Sequence, residues 1–295
     1  MLLRGIALGA AAAVLISLTN VFSRLHFEAG SNPVTFLLAR YAIVVLVLWI
    51  VLAALGRVPR IGRRHARDLV IAGVLNVTGA GALAFAIERV EVSLAIAVLY
   101  LFPFFTLLFS CLSRRERPSR ATLVALVVAF AGLVLVLGVG GATPDPLGLG
   151  CALVAAVGIA ASFTWIERTL GELGDAARLF GLTLVGLGAA IALALIGGDV
   201  VWPLPAPEAW STLLVATASF GAASGAMFMA IARIGALPTA MLMNLEPPAT
   251  ALLAVLVLGD TLAPIQLAGI ALVVAAVLAA QRHARHRAVL TPKTS

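Results

Sequence analysis

The chain has 295 residues, of which 62% are hydrophobic and only 11% are charged, and its mean hydropathy is +1.11. Soluble domains carry about 25% charged residues, so this composition excludes a soluble globular protein and indicates that lipid is the main solvent. The formal net charge is +7, but the basic residues lie in short segments between apolar runs. That pattern is typical of residues that set membrane orientation beside anionic headgroups, and it argues against nucleic acid as a partner.

Ten apolar runs, five in each half, follow one another along the chain. Each is close to the length of about 20 residues that crosses a bilayer as a helix. The runs cover residues 4–23, 34–55, 69–87, 93–112, 120–139, 147–166, 179–197, 209–231, 237–258 and 264–281. The connectors between them are too short for a soluble domain. The sequence therefore predicts an all-α polytopic membrane protein with ten transmembrane helices.

The second half of the chain repeats the first at a constant offset. Pro103 matches Pro247, 144 positions later, and the same offset holds over the whole segment around it. Other matched pairs are Arg24 with Arg168, Gly81 with Gly225, Arg89 with Arg233, Thr106 with Thr250, Leu112 with Leu256, Leu123 with Leu267, and acidic Glu116 with acidic Asp260. We predict a first repeat at 1–141, a second at 142–282 and a basic tail at 283–295. Because five helices is an odd number, the second repeat is expected to be inverted.

The distribution of arginine predicts the orientation of the helices in the membrane. Three predicted loops and the tail carry most of the arginines: 57–67, 114–120, 168–178 and 282–295. All of these segments fall on one side of a ten-helix topology, which the positive-inside rule assigns to the cytoplasm. Both termini are then cytoplasmic, and the protein is expected in the inner or plasma membrane.

Prolines interrupt the fourth and ninth apolar runs at matched positions. Pro103 lies in the fourth run, and Pro247 and Pro248 lie in the ninth. Such breaks at corresponding places in two halves mark binding sites in secondary transporters, although they also serve as simple kinks. Tyr100 and Asn244 stand three residues before the breaks, so they are candidates either for one central substrate site or for ordinary bonds between helices.

Glu246 is a carboxylate near the middle of the ninth run. An acidic side chain at the bilayer centre costs about 2.5 to 3.5 kcal/mol, which makes it a functional candidate. Three roles stay open at this stage: carrying a proton or binding a cationic solute, a salt bridge to Arg40, or a protonated, hydrogen-bonded acid without a transport function. Arg40 is expected either to reach Glu246 or to extend toward the headgroups. Asn20 and Asn76 complete the set of candidate substrate-binding residues.

Other functional classes fit the pattern less well. His26, His65, His283 and His286 are placed in predicted loops or in the tail, so no intramembrane base or metal ligand is expected, and no nucleotide-binding motif occurs. We predict no catalytic residues, no metal and no cofactor. A scaffold or receptor remains an alternative, and an intramembrane enzyme is a weaker one. Gly5-x3-Gly9 and Gly221-x3-Gly225 favour helix packing within the chain, while both a monomer and a homodimer stay open.

The motifs around the breaks resemble those of a known family. The second half carries Leu245-Glu246-Pro247, Leu258-Gly259-Asp260-Thr261-Leu262 and Pro264-Ile265-Gln266-Leu267, and the first carries Tyr100-Leu101-Phe102-Pro103, Arg115-Glu116-Arg117-Pro118 and Gly132. This pattern resembles the paired EamA repeats of the drug/metabolite transporter superfamily. Asp260 departs from it, since the family often has Glu there, and Ser113 and Arg114 stand where Leu-Gly is usual.

The resemblance implies ten helices in two inverted repeats and the export of small metabolites such as amino acids, without a cofactor. A proton is a candidate coupling ion. Glu116 and Asp260 correspond to family landmarks, but their position beside loops predicts only that they cap the following helices.

Overall fold

The structure, a computed structural model, describes residues 2–114, 119–138, 145–196, 199–202 and 206–290, with the side chains of 113–114 and 283–290 left aside. The helices are α1 (Leu2–Glu28), α2 (Pro33–Ala54), α3 (Arg63–Ile87), α4 (Val92–Leu99), α5 (Phe102–Arg114), α6 (Arg120–Leu137), α7 (Pro146–Thr169), α8 (Asp175–Ile196), α9 (Pro207–Ile234), α10 (Ala236–Met243), α11 (Glu246–Leu258) and α12 (Pro264–Leu290). Ten candidate membrane spans result, because α4 with α5 and α10 with α11 each form one span. The predicted all-α fold with ten spans is confirmed.

Local signals in the sequence set where several helices begin. Asn32 precedes Pro33, and its side chain accepts a hydrogen bond of 2.8 Å from the Thr35 amide. Ser119 caps α6 in the same way, accepting from the Thr122 amide at 3.1 Å. A side-chain oxygen satisfies one of the free N–H groups of the first turn, and a proline there loses no helical bond.

The offset found in the sequence returns in the helix boundaries. Helices α1 and α7, α3 and α9, α4 and α10, α5 and α11, and α6 and α12 begin 144 residues apart. The packing follows the same relationship: α1 lies along α9 as α7 lies along α3, and α6 packs against α12. The carbonyls of Ala72 and Ala216, which are 144 residues apart, accept hydrogen bonds from Ser162 (2.9 Å) and Thr19 (3.4 Å) on the neighbouring helix, although these two donors are one position out of the same register.

Glycines allow the helices to approach closely inside the chain. A Cβ added to Gly5 or Gly9 would lie 2.4 Å from Ile234 or 2.5 Å from Leu242, respectively. A Cβ added to Gly221 would make only an ordinary van der Waals contact with Val44, at 3.4 Å. The expectation that these small residues serve packing within the chain is therefore confirmed for Gly5 and Gly9.

Large apolar side chains cover the outside of the bundle. Leu195, Ile196 and Leu256 are 81%, 85% and 79% exposed. An apolar surface of this kind is unfavourable in water and suits lipid tails. The protein is an integral membrane protein.

Candidate functional site

Both proline breaks are places where one helix ends and another begins. In the first repeat α4 ends at Leu99 and α5 begins at Phe102; in the second α10 ends at Met243 and α11 begins at Glu246. Each of these boundaries matches its counterpart at the 144-residue offset. The predicted interruptions are confirmed, and the spans are divided rather than merely bent.

The prolines fall where a helix tolerates them. Pro103, Pro247 and Pro248 lie in the first turns of α5 and α11, where an N–H group would have no partner within its own helix. Tyr100 and Asn244 cap the ends of α4 and α10. Both are buried, at 6% and 3% exposure, so neither faces lipid.

Glu246 lies beside Asn20 and Tyr100. The Asn20 amide donates a hydrogen bond of 2.9 Å to Oε1 of Glu246, and the Tyr100 side chain lies close enough to the carboxyl group to interact with it. An amide donor suits the ionised acid, while a phenol can donate to a carboxylate or accept from a protonated acid. Three predicted site residues thus come together, although they are far apart in sequence.

A polar face of α1 holds this part of the second repeat. Ser17, Asn20 and Arg24 are spaced three and four residues apart, which places them on one side of the helix. Ser17 Oγ donates to the Glu246 carbonyl at 2.8 Å, and Arg24 forms an ion pair with Asp260 at 3.3 Å. We call this end of the bundle the Asp260 end. Asp260 was expected to cap α12, but its carboxylate pairs with Arg24; Glu116 lies outside the described residues.

Arg40 does not pair with Glu246. Its guanidinium carbon lies 4.0 Å from the ring centre of Phe220, 5.0 Å from that of Phe36 and 5.2 Å from that of Tyr41. No ion pair joins it to Glu246 within the described chain. The alternative of an Arg40–Glu246 bridge is therefore wrong, because aromatic rings surround the cation while Asn20 and Tyr100 occupy the carboxyl group.

A cavity of about 150 Å³ lies among α1, α2, α3, α7, α8 and α9. Asn76 is the one predicted site residue that lines it. The other lining residues that matter here are Tyr41, Phe163, Phe220, Ser224 and Phe228. Tyr100, Asn244 and Glu246 are not among the lining residues, so the predicted sites fall into two groups.

Aromatic rings connect these two groups. Phe163 lines the cavity and packs against Phe102 with 5.7 Å between ring centres, and Phe102 packs against Tyr100 at 5.9 Å. The carboxyl group of Glu246 is thus linked through three rings to the cavity wall. No sequence pattern selects Tyr41, Phe220 or Ser224 as site residues, since residues of these types are common in apolar helices.

His26 corrects another expectation. It was placed in a loop, but α1 continues to Glu28 and buries His26 completely. Its Nδ1 lies 2.8 Å from the Ala209 carbonyl, and its ring packs 5.3 Å from Phe36. These contacts hold α1 against α2 and α9.

Comparisons with known proteins agree with this architecture. A family described as the EamA-like transporter family matches residues 3–138 and 146–280. One solved structure, described as a crystal structure of a protein, has a TM-score of 0.77 and 20% identity, covering 96% of this chain and 98% of its own. At that identity the likeness concerns the fold alone. No curated protein matches the chain. Because the family match covers nearly the whole chain in two repeats, the protein belongs to the EamA-like transporter family of the drug/metabolite transporter superfamily.

Proposed function

We propose that the protein is a secondary active exporter of small, amino-acid-like metabolites that works by alternating access. The family consists of membrane transporters of small solutes, and the proposal adds direction, substrate class and mechanism. The observation that supports it most directly is the pair of matched helix breaks. The second break carries the Glu246 carboxyl group, which lies where α1 of the first repeat contacts α11 of the second. Broken helices at such places are typical of transporter binding sites.

The proposed topology is inverted, with repeats at 1–141 and 142–282. Five spans in each repeat favour opposite orientations, and the arginine distribution favours a cytoplasmic location for both termini and for the tail at 283–295. In this arrangement the Asp260 end faces outward. The opposite end, where Asp175 pairs with Arg178 and Arg233, faces the cytoplasm; we call it the Asp175 end.

A difference between symmetry-related contacts supports alternating access. Near the Asp175 end, Leu107 of α5 packs with Met241 of α10 in one buried cluster. The symmetry-related helices α4 and α11 do not pack to a comparable extent in the described chain. An inverted-repeat transporter needs its two repeats to have different conformations. When each repeat adopts the conformation of the other, the protein opens to the opposite side of the membrane.

Within this proposal, Glu246 carries the coupling proton and Asn20 and Tyr100 hold its carboxyl group. Asn76 and Arg40 act at the cavity, and Asn244 supports the break in the second repeat. The rings of Tyr100, Phe102 and Phe163 separate the proton site from the solute site. Movement of the broken helices would change both sites together.

Flux measurements test the proposal. Purified protein in liposomes loaded with a mixture of amino acids and related metabolites should release one or more of them, and an imposed pH gradient should change the rate. Protein-free liposomes give the background. A scaffold or receptor would move no solute above that background, which would refute the transport function. Equal flux with and without the gradient would refute only the proton coupling.

A further inference from the structure

The cavity has an uncharged lining beside one cation. Among the described residues that line it, none is acidic or basic. Tyr41 and Phe220 form part of its wall, and the guanidinium of Arg40 lies against both rings. Arg40 is not itself a lining residue, but it lies against these two rings of the wall, and its positive charge is the nearest formal charge that these contacts place beside the cavity.

The cation lacks a carboxylate partner. No ion pair involves Arg40 in the described parts of the chain, and its Nε atom is shielded from solvent without a hydrogen-bond partner there. A charge removed from water is costly unless it is paired, and aromatic faces compensate only part of that cost. Arg40 is half-buried, so an anion that reaches its guanidinium would supply the missing ion-pair partner.

Further polar groups of the cavity are available for a solute. Asn76 and Ser224 both line it, and the Asn76 side chain is exposed. Ser162 and Thr183 are less available, since their hydroxyls donate to the carbonyls of Ala72 and Leu179. The remaining wall is largely aromatic and aliphatic, so it suits an apolar body.

The size of the cavity limits the solute. A water molecule needs roughly 10 to 15 Å³ of such space, so 150 Å³ corresponds to a solute of about ten non-hydrogen atoms.

We propose that the cavity selects small monocarboxylates with an apolar or aromatic body, with Arg40 as the group that recognises the carboxylate. This inference rests on the proposed transport function and names its substrate class. The carboxylate reaches the guanidinium at the Tyr41–Phe220 wall, and the apolar body packs against Phe163 and Phe228. Asn76 and Ser224 hold any second polar group of the solute.

The test compares three probes of similar shape: 3-phenylpropionate, its neutral amide and 2-phenylethylamine. Thermal stabilisation of the purified wild-type protein gives an apparent Kd for each. We expect the carboxylate to bind at least tenfold more tightly than the amide and the amine. Equal binding of acid and amide would overturn the proposal, as would the absence of any shift with the acid. The wild-type comparison requires no variant that might fail to fold.

Two variants then assign the preference to one residue. Arg40→Gln should abolish the advantage of the acid over the amide, whereas Arg40→Lys, which keeps the charge, should retain part of it. Arg89→Gln is the matched control, because Arg89 also stacks on a phenylalanine, Phe85, at 4.0 Å, but Phe85, unlike Phe220, is not among the lining residues of the cavity. An unchanged acid preference in folded Arg40→Gln would overturn the role of Arg40. Metabolite flux from loaded liposomes would still establish transport if the carboxylate preference failed.

Discussion

Glu246 begins α11 at the position where Phe102 begins α5, yet the two residues have opposite surroundings. The carboxyl group accepts a hydrogen bond from Asn20 at 2.9 Å, whereas the Phe102 ring packs on Phe163 at 5.7 Å. The repeats therefore share a backbone break, but only the second break carries an ionisable group.

The backbone at the two breaks is also held differently. The Phe102 carbonyl accepts from Thr106 of its own helix at 2.8 Å. The Glu246 carbonyl accepts from Ser17 of α1 at 2.8 Å, and the matched Thr250 hydroxyl is buried without a partner within the described chain. The second break is thus tied to another helix, so movement of α1 relative to α11 acts directly on Glu246.

Replacing Glu246 by Gln should leave the fold intact and remove the response of transport to a pH gradient. Glutamine keeps an oxygen for the Asn20 amide but cannot take up or release a proton. Because Arg40 does not contact Glu246, the change leaves no unpaired buried cation, and its effect on Tm should add to that of Arg40→Gln. Flux with and without the gradient is the measurement.

Asp260→Asn is the matched control for that experiment. It also converts an acid of the second repeat to its amide, but at the exposed ion pair with Arg24, where a net contribution of about 0 to 1 kcal/mol is expected. It should keep the pH response. If Asp260→Asn lost the pH response and Glu246→Gln kept it, our proposal would have assigned the proton to the wrong carboxylate.

Arg178 is predicted to be essential for stability. It is only 1% exposed, and its guanidinium donates to the carbonyls of Leu170 (3.0 and 2.9 Å), Leu173 (2.6 Å) and Phe228 (3.2 Å). It thereby joins the end of α7, the start of α8 and α9. Arg178→Gln leaves several carbonyls without a donor and should cost about 3 kcal/mol or more, measured as a lower Tm and poor recovery of folded protein.

Arg233→Gln provides the comparison on the same carboxylate. Arg233 also pairs with Asp175, at 3.1 Å, but its side chain is 33% exposed. Its replacement should cost less than about 1 kcal/mol. Equal losses of Tm in the two variants would show that the carbonyl contacts of Arg178 do not stabilise the junction.

Helix spans and breaks were predictable because they depend on local pattern. Apolar runs of the right length gave all ten spans, and the matched prolines gave both breaks, since a proline restricts the backbone wherever it occurs. The contacts of Arg178 could not be predicted from such a pattern. The sequence placed it in a loop as an orientation signal, but the first turn of α8 includes it, and its partners are carbonyl groups, which no residue type marks.

Side-chain partners within the membrane were less predictable. Asn20 and Glu246 are 226 residues apart, and neither the repeat nor the helical period indicates which polar side chain of α1 meets α11. Charge alone favoured Arg40 as the partner of Glu246. The crossing of α2 with α9 instead places Arg40 on Phe220, because contacts of this kind depend on how the helices pack.

Gly132 is predicted to set the closest approach of α6 to α12. A Cβ added there would lie 2.8 Å from the Gly269 carbonyl and 2.9 Å from Leu272, so Gly132→Ala should separate the helices and cost about 1 to 3 kcal/mol. Gly150→Ala in α7 is the control, since no atom of the described residues lies within 4 Å of its added Cβ. It should be neutral or slightly stabilising. Thermal unfolding in detergent compares them, and a neutral Gly132→Ala would contradict the close packing.

The proposed orientation, with both termini in the cytoplasm, predicts which sites a membrane-impermeant thiol reagent can reach. In a background without Cys111 and Cys151, a cysteine replacing exposed Glu88 should react from outside intact cells. A cysteine replacing exposed Arg60 should react only after the membrane is permeabilised. The opposite pattern would reverse the orientation, and labelling of both from one side would contradict the odd number of spans between them.

Cross-linking of symmetry-related positions tests alternating access most directly. Leu107 and Met241 belong to one buried cluster near the Asp175 end. Their counterparts at the 144-residue offset are Ala251 and Ala97. If the repeats exchange arrangements, the pair Ala97–Ala251 approaches when the pair Leu107–Met241 separates.

Cysteines at either pair, in the cysteine-free background, should therefore form a cross-link that stops transport and is reversed by reduction. A transported solute that binds one of the two conformations more tightly should increase the population of that conformation. The cross-linking yields of the two pairs should then change in opposite directions. A mixed pair, Leu107→Cys with Ala97→Cys, controls for random collision. If the Leu107–Met241 cross-link forms fully and flux continues unchanged, these helices do not move apart during the cycle, and the alternating-access mechanism proposed for this pair of repeats is wrong.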